Sequence, residues 1–361
     1  MDTSSTVILR DKRKLVIPQF PLWMVRIINY EYWPFQLLFF PSIFYWILLS
    51  IRARSFVYFT ATNPAIDLGG FFGESKINII NKVSDKYKPR TLLIDKNWTP
   101  AHILHKMTSE EISFPIFCKP DKGEMGFMVQ KISDSEELEE YLKICPSEIL
   151  IQEFVDYSIE LGILYYRYPN GKSGITSIVE KEFMSVEGDG QSTVEELMNK
   201  KDRSRFQIKR FSEEKRELLK SIPPANQKTV LEPVGNHCKG TRFINGERLI
   251  NKKLVSVFDE ITSTMDGFYF GRFDLKVKSI EDLFRGENIK ILEVNGTTSE
   301  PAHIYGEGMT LWRAYQAIFY NMKIVNEIAI ENHRSGIKYM SIPEVVNVAS
   351  HHFKMKKKYG N

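Results

Sequence analysis

Two polar pairs, each set inside an apolar strand-like run, constrain this chain more than any other feature. Arg272 and Asp274 fall within Phe268 to Lys278, and Glu293-Val294-Asn295 closes a run that begins at Ile289. A strand turns successive side chains to opposite faces, so residues two apart share a face. Each pair therefore projects from one side of its strand. Hard Mg2+ ions take carboxylate and carbonyl oxygens together with nucleotide phosphates, which makes Asp274, Glu293 and Asn295 a sensible ligand set. Arg272 beside them would stabilise developing negative charge. Any one of these carboxylates read alone is a surface ion pair, and their order after a second motif is what gives them weight.

That second motif is Lys119-Pro120-Asp121-Lys122-Gly123-Glu124-Met125-Gly126, where a lysine ends a strand and two glycines frame a short loop. Backbone N–H groups of such a loop can close over polyphosphate while the lysine neutralises it. The loop is not a Walker A motif, because the Gly-Lys-Ser/Thr ending and the following helix are missing. By itself it equally describes an ordinary hairpin.

From Ser55 onward short strands alternate with helices, an α+β body following an apolar N-terminal region. Strands are expected at Phe56 to Thr60, Thr91 to Asp95, Phe114 to Lys119, Ile149 to Val155, Ile159 to Tyr168 and Ile175 to Ser185, besides the two late runs. Helices are expected at Glu74 to Val83, after Thr99, at Ser135 to Leu142, through the charged stretch Thr193 to Lys220, and at Asn251 to Met265. Further helices, one ending near Asn332, close the chain. Pro169-Asn170-Gly171 is a turn, since Asn and Gly tolerate positive φ. The expected divisions are residues 1–55 (apolar region), 56–110 (a shortened leading region), 111–335 (nucleotide-binding body) and 336–361 (helix and basic tail).

At this point the chain resembles the ATP-grasp superfamily, on the side of the D-alanine–D-alanine ligases and cyanophycin synthetases, over Gly73 to Tyr305. The resemblance implies two α+β lobes clamping ATP. Lys76, in Gly-Glu-Ser-Lys, resembles the first nucleotide lysine and Lys119 the second, and Gly123, Glu124 and Gly126 resemble the mobile loop that covers the phosphates. Gln152-Glu153-Phe154-Val155 is similar to the hinge strand, in which Glu153, Phe154 and Val155 would read the adenine edge. Glu160 resembles the acid on the ribose hydroxyls, and Lys181 would face the phosphates ahead of the Gly188-Asp189-Gly190 turn. Asp274, Glu293 and Asn295 match the magnesium ligands, and Arg272 the arginine that holds a tetrahedral intermediate. Two departures matter. No full Rossmann-like domain precedes Lys76, and Gly296 to Pro301 differs from the D-alanine ligase pattern, so D-alanyl-D-alanine synthesis is not expected.

The expected function is an ATP- and Mg2+-dependent carboxylate–amine ligase acting through an acyl phosphate, with two Mg2+ ions and Mn2+ as a substitute, and Lys119 and Arg272 as catalytic residues. An ATP-grasp kinase and a non-catalytic ATP-binding membrane-surface protein are the rival readings. Partners are small-molecule carboxylates and amines, lipidic ones included. With 49 basic against 45 acidic residues in 361, the net charge of +4 gives no reason to expect nucleic acid. Three cysteines without CxxC or Cys/His spacing indicate neither a disulfide framework nor zinc, and fit the cytoplasm. His237, in Gly235 to Thr241, is read as a structural histidine with a substrate-loop residue as the alternative, and Cys238 as an inert thiol.

Arg10 to Lys14 leads into Pro18 and Pro21 rather than into a short apolar core, so no signal peptide is read. Tyr32 to Ile51 is a charge-free apolar stretch long enough to cross a bilayer. Pro34 and Pro41 would cap or kink a helix there, which leaves three placements: spanning the membrane, lying on its inner face, or packing on the protein. The basic tail Lys354 to Lys358 would add attraction to anionic lipid.

Overall fold

The computed structural model describes residues 19–71, 73–123, 126–145 and 147–359. The Arg10 to Lys14 stretch, Pro18 and Glu124 lie outside them. The N-terminal region is helical: α1 (Leu22–Ile28), a 3-10 turn (Tyr30–Tyr32) and α2 (Phe35–Ala53). Pro34 caps α2 and Pro41 sits within it without ending it. Arg54 ends the helix in the left-handed region at φ 54°, its N–H donating to the carbonyls of Ser50 and Ile51.

The strand expected at Phe56 to Thr60 is a 3-10 turn, Tyr58–Ala61. Local hydrogen bonds compete with extension there, because Thr60 Oγ1 donates to the Val57 carbonyl at 2.7 Å and Ser55 Oγ accepts from Val57 N–H. The buried Asn63 beyond it bonds the backbone of Phe270, from its amide nitrogen to the carbonyl at 2.8 Å and from N–H to its oxygen at 2.9 Å.

Helix α3 (Lys76–Ile80) packs Ile77, Ile79 and Ile80 into the core of the larger lobe, and the smaller lobe follows with β1 (Thr91–Ile94), α4 (Pro100–Ser109), β2 (Ile116–Pro120), β3 (Gln130–Ile132), α5 (Ser135–Ile144) and β4 (Ile149–Glu153). Side chains start the two longer helices: Thr99 accepts from His102 N–H and Asp134 from Glu137 N–H. The strands form an antiparallel sheet in the order β1-β4-β2-β3. Ile103, Met107, Leu138 and Tyr141 from the helices bury its face with Ile94, Ile116 and Ile151. Thr91 pairs with Gln152, so this sheet draws strands from both sides of residue 110.

The larger lobe holds β5 (Ile159–Arg167), β6 (Ser173–Glu182), β7 (Ser185–Glu187), α6 (Val194–Met198), α7 (Asp202–Arg205), α8 (Ile208–Glu214), α9 (Arg216–Lys220), β8 (Lys228–Val230), β9 (Arg242–Asn245), α10 (Lys252–Thr262), β10 (Phe270–Val277), α11 (Ile280–Arg285) and β11 (Ile289–Asn295). Its main sheet runs β11-β10-β5-β6-β9, all antiparallel, and α10 covers one face with Phe258 and Ile261 packed on Leu161, Ile163 and Phe273. Thr193 to Lys220, expected to be helical, holds four short helices. Ser204 Oγ donates to the Met198 and Lys201 carbonyls, and Lys215 leaves helical geometry at φ −140°. Ser185 likewise belongs to a separate ladder, β7 with β8.

The long α12 (Leu311–Arg334) packs beside β5 and β10 and receives α2, and α13 (Ile342–Tyr359) follows. Leu49 and Ala53 of α2 are buried with Ile324 and Ile328 of α12, and Asn326 Nδ2 donates to the Leu49 carbonyl at 2.9 Å. The result is the expected α+β architecture, two sheets facing each other across a cleft, with an apolar helical region packed on the larger lobe.

Candidate active site

The chemistry-bearing residues of β10 and β11 meet because of strand register. Asp274 pairs directly with Glu293 and Arg272 with Asn295. On the other side of β10, Asp274 lies opposite Gly162, where a Cβ would stand 3.1 Å from Asp274 Oδ1, so glycine leaves room for the carboxylate. Asp274 Oδ2 accepts from Arg272 Nε and Nη2 at 3.3 and 3.2 Å and from Asn295 Nδ2 at 3.2 Å. Its Oδ1 lies 2.9 Å from Lys181 Nζ, which also donates to Glu160 Oε1 at 3.1 Å.

The charges hold one another in their ionised forms. Burial raises the Asp274 carboxyl, but Arg272 and Lys181 outweigh it and hold it below the usual carboxylate range. Burial likewise lowers the Lys181 ammonium, and Asp274 and Glu160 reverse that to a net rise.

Hard oxygen ligands for a divalent cation are present: two carboxylates facing each other across a strand pair, and the Asn295 amide oxygen left after its nitrogen is used by Asp274. The buried Asp274 Oδ1 is charge-paired with Lys181 yet has no hydrogen bond of acceptable angle, which leaves it a lone pair to give. No group of three His, Cys, Asp or Glu that could hold a metal unaided occurs among the described residues, so the set fits Mg2+ only when phosphate oxygens complete it.

Lys119 of the smaller lobe and Lys76 at the start of α3 bring cations to the same space. Between Asp274 and Leu275 the β10–β11 register shifts by one, a bulge that takes Leu292 out of the pairing. Lys119 Nζ, reaching across from β2, donates to the Leu292 carbonyl at 3.0 Å and to Gln152 Oε1 at 3.3 Å. Burial pushes the Lys119 ammonium down, with Glu293 opposing. Lys76 Nζ donates to the carbonyls of Gly123 and Asp121 at 2.6 and 3.2 Å, while Asp121 Oδ1 accepts from Ile77 N–H at 2.9 Å. The start of α3 is thereby tied to the glycine loop. Gly126 takes φ 71°, and a Cβ there would stand 3.3 Å from Asn236 Nδ2 in the larger lobe.

A cleft of about 450 Å³ joins these groups. Its lining includes Lys76, Lys119, Gly123, Gly126, Glu153, Val155, Glu160, Lys181, Arg272, Asp274, Glu293 and Asn295, that is, every singled-out residue except Phe154 and the undescribed Glu124. Phe154 turns its ring instead onto Phe117 at 5.9 Å and under the Lys131 ammonium at 4.3 Å. Among the described residues its carbonyl and the Val155 N–H have no backbone partner, whereas the Val155 carbonyl accepts from Lys276 Nζ at 3.1 Å. An acceptor and a donor without a backbone partner among the described residues thus lie at the edge where a planar base would be read.

Sequence reasoning missed the far end of the cleft. Glu300 lines it and accepts from Tyr305 Oη at 2.6 Å, and burial raises its carboxyl despite Tyr305, Arg272 and His237. His237, read from the sequence as structural or as a substrate-loop residue, also lines it, with its ring 4.8 Å from that of Tyr305 and Nε2 at 3.7 Å from Glu31 Oε2. Glu31 and Trp33 enter from the N-terminal region. Glu300, five residues beyond Asn295, could have been sought as an acid at the end of the metal strand. Glu31 carries no local signal, because its partners Arg203 and His237 are remote in sequence.

No family model and no curated protein matches this chain. Among solved structures it is similar to the D-alanine–D-alanine ligase from Bacillus anthracis, at 14% identity over 73% of this chain and 69% of that one, with a TM-score of 0.41. The VanG D-Ala:D-Ser ligase from Enterococcus faecalis matches at 13% identity over 72% of this chain and 60% of that one, TM-score 0.39. A bifunctional glutathione synthetase from Pasteurella multocida matches at 15% identity over 69% of this chain and 36% of that one, TM-score 0.35. At such values no residue role or substrate passes from those proteins to this one. The ATP-grasp resemblance read from the sequence rests on this chain's own motifs and on the cleft they line.

Proposed function

We propose that the chain is an ATP- and Mg2+-dependent ligase that joins a carboxylate to an amine and works in the cytoplasm. The observation that carries this reading is the pairing of Asp274 with Glu293 next to the Leu292 carbonyl that Lys119 reaches, so that ligands for a cation and a countercharge for phosphate converge from two lobes. The Phe154 carbonyl and Val155 N–H would take the adenine edge, with Glu160 beside the ribose. Lys76, Lys119 and Lys181 would neutralise the phosphates under the loop at Gly123 to Gly126. Magnesium, held by Asp274, Glu293 and Asn295, would neutralise the β- and γ-phosphates.

In this reading a substrate carboxylate oxygen attacks the γ-phosphorus, ADP leaves, and an acyl phosphate remains. The amine then attacks the carbonyl carbon, Arg272 steadies the oxyanion, and the C–O bond breaks to release phosphate. Glu300, buried near Arg272 with a raised carboxyl pKa, would take the proton that the attacking amine gives up. No side-chain nucleophile is needed.

The test is phosphate release from MgATP with pools of carboxylates and amines, with products read by mass spectrometry. Turnover that needs both an acid and an amine supports the ligase. A phosphorylated acceptor without C–N bond formation would replace it by a kinase, and tight ATP binding with no turnover in any pool would favour a non-catalytic binder.

A further inference from the structure

The largest feature that the proposed chemistry does not use is the outer face of α1 and α2. Along α2 the side chains of Phe40, Ile43, Phe44, Ile47, Leu48 and Ile51 are exposed, Phe44 and Leu48 at 62% and Ile51 at 67%. Their spacing of three and four draws one stripe along a 19-residue helix about 28 Å long. Trp23, Ile27 and Ile28 of α1 are likewise exposed, and Trp33 Nε1 donates to the Ile27 carbonyl at 3.2 Å, joining the two helices. Trp46 packs on the exposed Phe56 at 5.5 Å and continues the face past the end of α2. Only 22% of the apolar window of α2 is buried, so it is not a core helix.

The opposite side of α2 is committed to the protein. Tyr315 Oη donates to the Leu38 carbonyl at 3.0 Å and Asn326 Nδ2 to that of Leu49 at 2.9 Å, while Leu49 and Ala53 are buried against α12. A helix fixed to the body along one side lies on a surface rather than crossing a bilayer. Residues 19–56 contain four charged groups, Arg26, Glu31, Arg52 and Arg54. Glu31 is turned inward to Arg203 and Arg52 pairs with Glu327 of α12 at 3.3 Å, so the charges of this segment without an ion pair among the described residues are Arg26 and Arg54, one towards each end of the apolar face. A second copy docked through the same face would set arginines against arginines, or against apolar surface, whereas anionic lipid headgroups complement them.

We propose that the α1–α2 face is a docking surface for an anionic lipid bilayer, with the stripe from Phe40 to Ile51 lying flat at the acyl boundary and Arg26 and Arg54 among the headgroups. The cleft shares this edge of the molecule, since Glu31, Trp33 and Phe35, at the start of α2, line it. The fitting substrate is an amphiphile whose head carries the carboxylate or the amine, a clause that rests on the ligase reading. Docking does not rest on it.

The test is flotation of the full chain, without nucleotide, with vesicles of phosphatidylcholine alone or mixed with phosphatidylglycerol. Wild-type protein is expected to float with the mixed vesicles. The combined Phe40→Glu, Phe44→Glu and Leu48→Glu variant should lose at least about tenfold in partitioning at unchanged melting temperature. Should it fail to fold, Arg26→Glu with Arg54→Glu serves instead, and is expected to abolish the preference for anionic vesicles. Wild-type protein that does not float, or variants that float as well as wild type, would overturn the proposal. So would a concentration-dependent dimer dissolved by the same substitutions without flotation, which would assign the face to a second copy. Phosphate release in solution reads the ligase separately, so either idea can fail alone.

Discussion

Lys119 Nζ on the smaller lobe lies 3.0 Å from the carbonyl oxygen of Leu292 on the larger one. That carbonyl is available because the bulge in the β10–β11 ladder takes Leu292 out of the register that pairs Asp274 with Glu293. One irregularity in pairing thus anchors the buried ammonium beside the two carboxylates.

Replacing Lys119 by Met keeps its length and removes its charge. A hydrogen bond to a charged group is worth roughly 1.5–3 kcal/mol, so ATP affinity should fall about ten- to hundredfold, as read by calorimetric titration. Equal affinity in both proteins would remove Lys119 from the phosphate site.

Asp274 and Glu293 should differ in how they fail. Asp274→Asn leaves Lys181 and Arg272 buried without their shared countercharge, which costs about 3–5 kcal/mol when a buried pair is broken. Glu293 makes no ion pair among the described residues, and Glu293→Gln should leave the melting temperature close to wild type. Both substitutions should lower MgATP turnover by at least roughly a hundredfold if the two oxygens hold the cation. Chemical denaturation separates the first effect from the second.

Gly235 touches the polar cluster from outside. A Cβ there would stand 2.2 Å from Glu160 Oε1 and 2.9 Å from Lys181 Cδ, so both side chains would have to shift to admit it. Gly235→Ala should therefore displace Glu160 and Lys181, raising KM for ATP several-fold. An unchanged KM would show that Glu160 and Lys181 do not touch the nucleotide.

The pH dependence should carry the mark of Glu300. Burial raises its carboxyl above the ordinary glutamate value of about 4.3, and a proton acceptor must be ionised to act. The rate should rise with pH through that raised value, and Glu300→Gln should lower kcat and flatten the acid limb. Linkage has the opposite sign for stability. With the folded-state pKa raised, the contribution is full below the unfolded value and is lost as pH rises through the folded one. At neutral pH Glu300→Gln should therefore melt no lower than wild type. An acid limb that survives the substitution would assign the proton to another group.

Much of this site was legible in the linear sequence because its signals are local. Period two places Arg272 with Asp274 and Glu293 with Asn295, and the side chains of Thr99, Asp134 and Asn251 start helices within three residues of themselves. Local signals also failed where tertiary contacts or side-chain hydrogen bonds compete. Ser55 and Thr60 curl an apparent strand into a turn.

The sequence by itself determined which residue types share a strand face, where the chain turns, and that residues 32–51 carry no charge. Only the tertiary structure decided that Asp274 faces Glu293 rather than sliding past it, because register is set by the whole sheet and by the bulge at Leu292. It also decided that Glu31 and Glu300 enter the same cleft, and that α2 buries one side on α12 and leaves the other exposed. Those outcomes depend on groups far apart in the chain, whose approach no short-range pattern encodes.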